Sequence, residues 1–259
     1  MDTGSPALWK AAYTGDIERC KRLLATHRNT GGYVDERGGS NGTSPLCTAI
    51  HCSGREDGKF FHNHLEIARL LIDAGADVTA VSAKGDTTPL HQSIQFGGGA
   101  EFLNLILKNR DSIDIDKKSN GKTPLFMAVS NRCNNMKAYQ NQVESLIKRG
   151  ADVKTVDNHG NSILHQWNMS EWLLSRLIQQ GVDINRKGEH GRTPLHFILY
   201  DTEPAERNES GLYYMILLIA KGVDLDIKDG KGLTALGVAS RRFRNTHPMY
   251  RLLRKNTES

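Results

Sequence analysis

Thr193-Pro194-Leu195-His196 is the stretch that decides the fold, because it recurs along the chain. Thr88-Pro89-Leu90-His91 repeats it in full. Thr123-Pro124-Leu125-Phe126, Ser44-Pro45-Leu46-Cys47, Ser162-Ile163-Leu164-His165 and Thr234-Ala235-Leu236-Gly237 are degenerate copies, and Ala7-Leu8 opens a seventh. A phrase that returns every few dozen residues marks one supersecondary unit stacked many times.

The residue types have physical reasons. A Thr or Ser hydroxyl accepts from a free N–H of a first helical turn. Proline at the first helical position loses no hydrogen bond and has φ already set. The leucine is expected to point into the stack. Each phrase is followed by a short helix, a break and a longer apolar helix. In Leu65–Ile72, Leu65, Ala68 and Ile72 share one face, with Ile67, Leu70 and Leu71 beside them. That helix ends in Ala74-Gly75-Ala76-Asp77-Val78, and the ending returns around Gly150, Gly181 and Gly222. The glycine stands where a helix needs a left-handed residue to stop.

These two phrases resemble the ankyrin repeat, whose pattern is a β-turn, Thr-Pro-Leu-His-x-Ala, and a second helix ending Gly-Ala-Asp-Val. The resemblance covers residues 6–253. It implies an all-α fold: a solenoid of helix-turn-helix units with projecting β-turn or hairpin loops. We expect one array over residues 1–259, with units at about 5–30, 40–79, 83–117, 119–154, 158–186, 189–227 and 230–255. The first and last units should be caps with polar outer faces. Lys10, Glu18, Arg19, Lys21 and Arg22 fit this, as does the arginine-rich final unit. The resemblance also gives His91, His165 and His196 a structural role, tying neighbouring turns together.

The chain departs from the pattern in places. From Leu46 to Leu90 is 44 residues, from Leu125 to Leu164 is 39 and from Leu195 to Leu236 is 41, against a family period of about 33. The extra residues fall near Cys52–His62, Asn131–Tyr139 and Tyr200–Gly211. Such insertions mark either a second binding edge or neutral loop growth. The fifth unit is short, and Trp167-Asn168 stands where the family has two alanines. Distortion is therefore expected around units five and six. Trp167 either anchors a partner or fills the gap left by missing residues.

Composition excludes several classes. The net charge of +5 is mild and dispersed, so nucleic-acid binding is not expected. The basic tail around Arg241–Lys255 reads as a solvated helix face or a partner contact. No apolar run reaches the roughly 18 residues needed to span a bilayer, and no membrane partner is expected. Cys20, Cys47, Cys52 and Cys133 show no disulfide spacing. With no signal-like run at Met1–Lys10, this points to a reducing compartment, cytoplasmic or nuclear, and not to secretion. Cys47, His51, Cys52, His62 and His64 lie close in sequence, and Cys47 and His51 are spaced to share a helix face. That is a zinc candidate. Its competing reading is a small buried thiol among ordinary histidines. The glycine runs lack a P-loop's Lys-Ser/Thr, and no nucleophile elbow occurs. No cofactor and no catalytic residue are assigned.

The resemblance implies a non-catalytic protein–protein interaction module or adaptor, monomeric on its own, using turn tips and exposed first-helix positions. Mapped onto this chain these are Asp86, Gln92 and Gln95, then Lys122 and Met127, then His159, Asn161 and Gln166, with Trp167 beside them. Unit six supplies His190, Arg192, Phe197 and Tyr200, and unit seven Lys231 and Leu233. The alternative is an enzyme, or a small-ligand or metal-binding protein, with a pocket on the distorted scaffold.

Overall fold

Copies of the phrase start helices for the reasons their residues carry. Ser44, Thr88, Thr193 and Thr234 sit in extended backbone, and their side chains accept from the N–H of Cys47, His91, His196 and Gly237. Thr123 accepts from Phe126 N–H at 3.2 Å. The computed structural model describes residues 6–30, 34–54, 59–81, 86–96, 100–108, 113–130, 136–166, 169–202 and 209–258. The chain falls into two compact units, Met1–Ala151 and Asp152–Ser259.

In the first unit the described residues form α1 (Ala7–Thr14), α2 (Ile17–Thr30), α3 (Pro45–Ser53), α4 (Lys59–Asp73), α5 (Pro89–Gln95), α6 (Glu101–Leu107), α7 (Pro124–Ser130) and α8 (Met136–Lys148). The helices α1, α3, α5 and α7 pack side by side in one layer, with α2, α4 and α6 side by side in another. Each first helix packs against its own second helix. In the second unit a 3-10 turn (Ile163–His165) precedes α9 (Glu171–Gln179), α10 (Pro194–Asp201), α11 (Glu209–Ala220), α12 (Ala235–Arg242) and α13 (Pro248–Thr257). The 3-10 turn packs on α10, α10 on α12 and α11 on α13. Among the described residues there is no sheet; the connecting turns carry isolated antiparallel bridges at Gly38–Thr43, Ser119–Lys122 and Val156–Ser162.

The repeated leucine is the core. Leu8, Leu46, Leu90, Leu125, Leu164 and Leu195 are all buried, while Leu236, in the last unit, is only half-buried. Each such burial is worth about 1.5–3 kcal/mol relative to exposure. The helix-ending glycine is left-handed at all four phrases, with φ of 92, 90, 81 and 80° at Gly75, Gly150, Gly181 and Gly222, a conformation that costs glycine nothing.

The histidines are joints. The N–H of Ser162 donates to His165 Nδ1 at 3.0 Å, and that of Thr193 to His196 Nδ1 at 3.4 Å. An accepting Nδ1 leaves the proton on Nε2. The Nε2–H of His165 then donates to Arg192 O at 3.1 Å, and that of His196 to Leu233 O at 3.0 Å. His91 Nε2 lies 3.4 Å from Lys122 O. Burial lowers the pKa of all three, overriding the carbonyl contacts that raise it.

The expected distortion is found at unit five, where Ser162-Ile163-Leu164-His165 lacks the proline and makes only a 3-10 turn. In unit six α10 is a regular eight-residue helix with Ile198 and Leu199 buried. Its proline start and capping threonine are intact, so distortion does not extend there. Trp167 and Asn168 lie outside the described residues, as do the middles of the insertions at 55–58, 131–135 and 203–208.

Candidate functional site

The site is built on the turns that open units six and seven. Gly188 N–H donates to Arg192 O at 2.8 Å, and Gly191 N–H to Gly188 O at 3.0 Å. His190 and Gly191 between them have φ of 56 and 67°. The equivalent pair in unit four is Asn120-Gly121, with φ of 48 and 78°. Asn-Gly is the pair that such a tight turn favours. A histidine in the left-handed region is a costlier choice, and such choices cluster at functional sites. The His190 carbonyl accepts from Gly230 N–H at 2.8 Å. A Cβ on Gly230 would lie 2.5 Å from that oxygen, so only glycine lets the two turns meet backbone to backbone.

Beside this junction is a partly open cavity of about 320 Å³, lined by His190, Arg192, Asp229, Gly230 and Lys231. Tyr200, from the C-terminal half of α10, flanks it. The Arg192 guanidinium stacks 3.7 Å from the centre of the Tyr200 ring, with the Lys231 ammonium at 5.6 Å and the Arg242 guanidinium at 5.7 Å. The Tyr200 hydroxyl donates to Asp229 Oδ2 at 2.8 Å, while the N–H groups of Lys231 and Leu233 each donate to Oδ1 at 2.9 Å. Burial pushes the Asp229 carboxyl up, but the hydrogen bonds from Leu233, Tyr200 and Lys231 outweigh it and the net shift is down. The Tyr200 hydroxyl is raised by burial first and then by its bond to Asp229. The one carboxylate lining the cavity is thus ionised and committed to internal donors.

The other residues selected from the sequence are distributed as follows. Phe197 is half-buried, its ring edge-on to His165 at 5.8 Å. His159 is exposed, with Nδ1 3.4 Å from Glu189 Oε1, and His190 Nε2 lies 3.7 Å from the same oxygen. Leu233 and Gln166 are half-buried. In units three and four Asp86 and Gln95 are exposed, and Lys122 and Met127 half-buried. Two expectations of exposure are corrected. Gln92 is buried on α5. Asn161 is buried because its side chain belongs to the turn: Oδ1 accepts from Glu189 N–H at 2.9 Å and Nδ2 donates to Asp157 Oδ2 at 3.3 Å.

The cysteine–histidine group does not converge. Cys47 is buried toward Ala80 O, His51 is exposed and packs on Phe96, and His64 is buried beneath Gly15. Cys47 and His51 are spaced to share one side of α3, but Cys47 is buried against Ala80 O while the imidazole of His51 is exposed over Phe96. Among the described residues no group of three or more His, Cys, Asp or Glu is placed to hold a metal. Burial pushes the Cys20 and Cys47 thiols up to about 11, which leaves them unreactive at neutral pH.

Sequence reasoning missed Asp229, and it placed Arg242 in the basic tail without linking it to Tyr200. Asp229 was findable: Asp157 holds the same turn position in unit five, its Oδ1 accepting from His159 and Asn161 N–H. The link from Arg242 to Tyr200 was not, because only the packing of α10 on α12 makes it. Also missed were the exposed Trp172, Tyr213 and Ile216 on α9 and α11. The signal was α11 itself, apolar on more than one face.

Comparison with known proteins bears on both fold and family. Residues 59–157 match the family model described as ankyrin repeats, in three copies. Neurogenic locus notch homolog protein 2 of Homo sapiens is 34% identical over 118 residues, covering 45% of this chain and 4% of that protein. Phosphocholine transferase AnkX of Legionella pneumophila is 26% identical over 183 residues, covering 67% of this chain and 19% of that protein. The chain thus spans a small part of each relative's length. Among solved structures, the ankyrin repeat domain of Bcl-3 matches with a TM-score of 0.72 and 25% identity over 97% of this chain and 99% of that one. The repeated phrase, the helix pairs and these matches agree: residues 59–157 are ankyrin repeats, and the fold is that of ankyrin repeat domains.

Proposed function

We propose that this chain is a non-catalytic adaptor that binds another protein through its turn tips and first-helix side chains, and that it works in the cytoplasm or nucleus. Ankyrin repeats are generally protein-interaction modules. The carrying observation is the gathering of His190, Arg192, Tyr200 and Lys231 at one cavity, with Phe197 half-exposed on the same helix as Tyr200. Arginine and aromatic side chains supply most anchors in protein interfaces; here Arg192 stands on a turn held by the His165 joint, and Phe197 and Tyr200 stand on α10. Little conformational entropy remains to be lost on binding. Buried Cys20 and Cys47, neither of them in a disulfide, support a reducing compartment. Among the described residues no helix is long and apolar enough to cross a membrane.

A catalytic use of the cavity is less well supported. Its carboxylate, Asp229, is held ionised by three donors, so it makes a poor base. The test is a pull-down comparing the intact chain with Phe197→Ala/Tyr200→Ala. The double variant should melt within a few degrees of the parent and lose most of the captured protein. Unchanged capture by a folded double variant would sink the proposal.

A further inference from the structure

We propose that the cavity between the turns of units six and seven receives an acidic side chain, carboxylate or phosphate, of a peptide segment in the partner. The inference rests on the adaptor reading above and narrows it to a partner chemistry.

The charges around the cavity are unbalanced. Arg192, Lys231 and Arg242 gather about Tyr200 within 5.7 Å of its ring centre. Asp229 has both oxygens occupied by Tyr200, Lys231 and Leu233. Glu189 is turned toward His159 and His190. The buried Nε of Arg192 has no hydrogen-bond partner, and the guanidinium and the Lys231 ammonium face the Tyr200 ring. Arginine carries five donors in a planar fork matched to a carboxylate or phosphate. Stacking on Tyr200 fixes the plane of that fork without spending its donors. An arriving anion would make charge-assisted bonds with a donor group already oriented.

The size and setting favour a side chain of a peptide over a nucleic acid. The cavity is about 320 Å³, enough for one side chain, and the neighbouring Glu189 and Asp229 interrupt any basic track. A nucleic acid needs a continuous run of cations along its backbone.

Fluorescence anisotropy with four labelled probes tests this: octaglutamate, an octapeptide of alternating glycine and phosphoserine, octaglutamine, and a 20-nucleotide oligo-dT. The full chain should bind one or both acidic peptides and not octaglutamine. Which acidic peptide binds tighter separates carboxylate from phosphate. Arg192→Gln/Lys231→Gln should weaken that binding at least tenfold, with an unchanged circular-dichroism melt. If the double variant melts early, Lys231→Gln alone, on an exposed turn side chain, should still weaken it about threefold. Acidic peptides bound no better than octaglutamine, or bound equally by the variants, would overturn the proposal. So would oligo-dT binding tighter than either peptide and lost in the same variants. Loss of protein capture in the Phe197/Tyr200 variant, with no acidic-peptide binding, would overturn this inference alone and leave the adaptor reading standing.

Discussion

At the scale of single residues, His91, His165 and His196 show how one side chain serves as a joint and a liability. Each is buried and neutral, and burial lowers its pKa below the ordinary 6.5. The sign follows from proton counting. Below about pH 6.5 the unfolded chain takes up protons that the folded chain refuses, so the unfolded state gains and stability falls. Above that value neither state is protonated and the effect vanishes. The urea midpoint should therefore hold between pH 8 and 7 and drop steadily from pH 6.5 to 5. In His165→Gln the drop should be shallower than in the parent. A parallel fall in both would mean that this joint does not carry the acid sensitivity.

At the scale of elements, helices were legible wherever cap, proline, leucine and closing glycine all stood in place. Each of those residues acts through its own backbone neighbours, so spacing alone reports it. The fifth unit was half legible: Ser162-Ile163-Leu164-His165 shows a missing proline, but not that only three residues would wind. Exposure was harder to read than helicity. Asn161 occupies a turn position that reads as a tip, yet its amide bridges Asp157 and Glu189 across two units. Such a partner lies 28 residues away in sequence and leaves no periodic trace. The turn of unit six shows the opposite case, a local rule broken beside the candidate site. His190 holds a left-handed conformation for which asparagine is better suited. Places where a chain violates its own local preferences are expected at functional positions. His190→Asn should therefore stabilise the fold by up to about 1 kcal/mol, read as a higher urea midpoint, while weakening partner capture. Lower stability in this variant would show that the imidazole contributes to the fold and that no such conflict exists.

At the scale of the molecule, stability in a repeat protein is a sum over units and the interfaces between neighbours. No unit folds by virtue of a private core. This explains why the phrase fixes the fold so firmly and yet says little about where a partner binds. The phrase specifies contacts between equivalent positions, whereas the cavity is lined by His190, Arg192, Asp229, Gly230 and Lys231, which the phrase does not contain. The same additivity bears on the last unit. Val238, Ala239, Met249 and Leu253 are buried, and α12 and α13 pack on α10 and α11. This unit also carries exposed Arg241, Arg251, Arg254 and Lys255. Helix α11 already exposes Tyr213 and Ile216. Removing residues 230–259 would strip the cover from its remaining apolar surface and also remove Gly230 and Lys231 from the cavity. The shortened chain should elute earlier than its mass predicts in size-exclusion chromatography, melt at lower temperature, and lose acidic-peptide binding. If it instead elutes at its own mass with an unchanged melt, the final unit is not a cap and the basic face of α13 must be kept for another purpose, such as a contact with the partner.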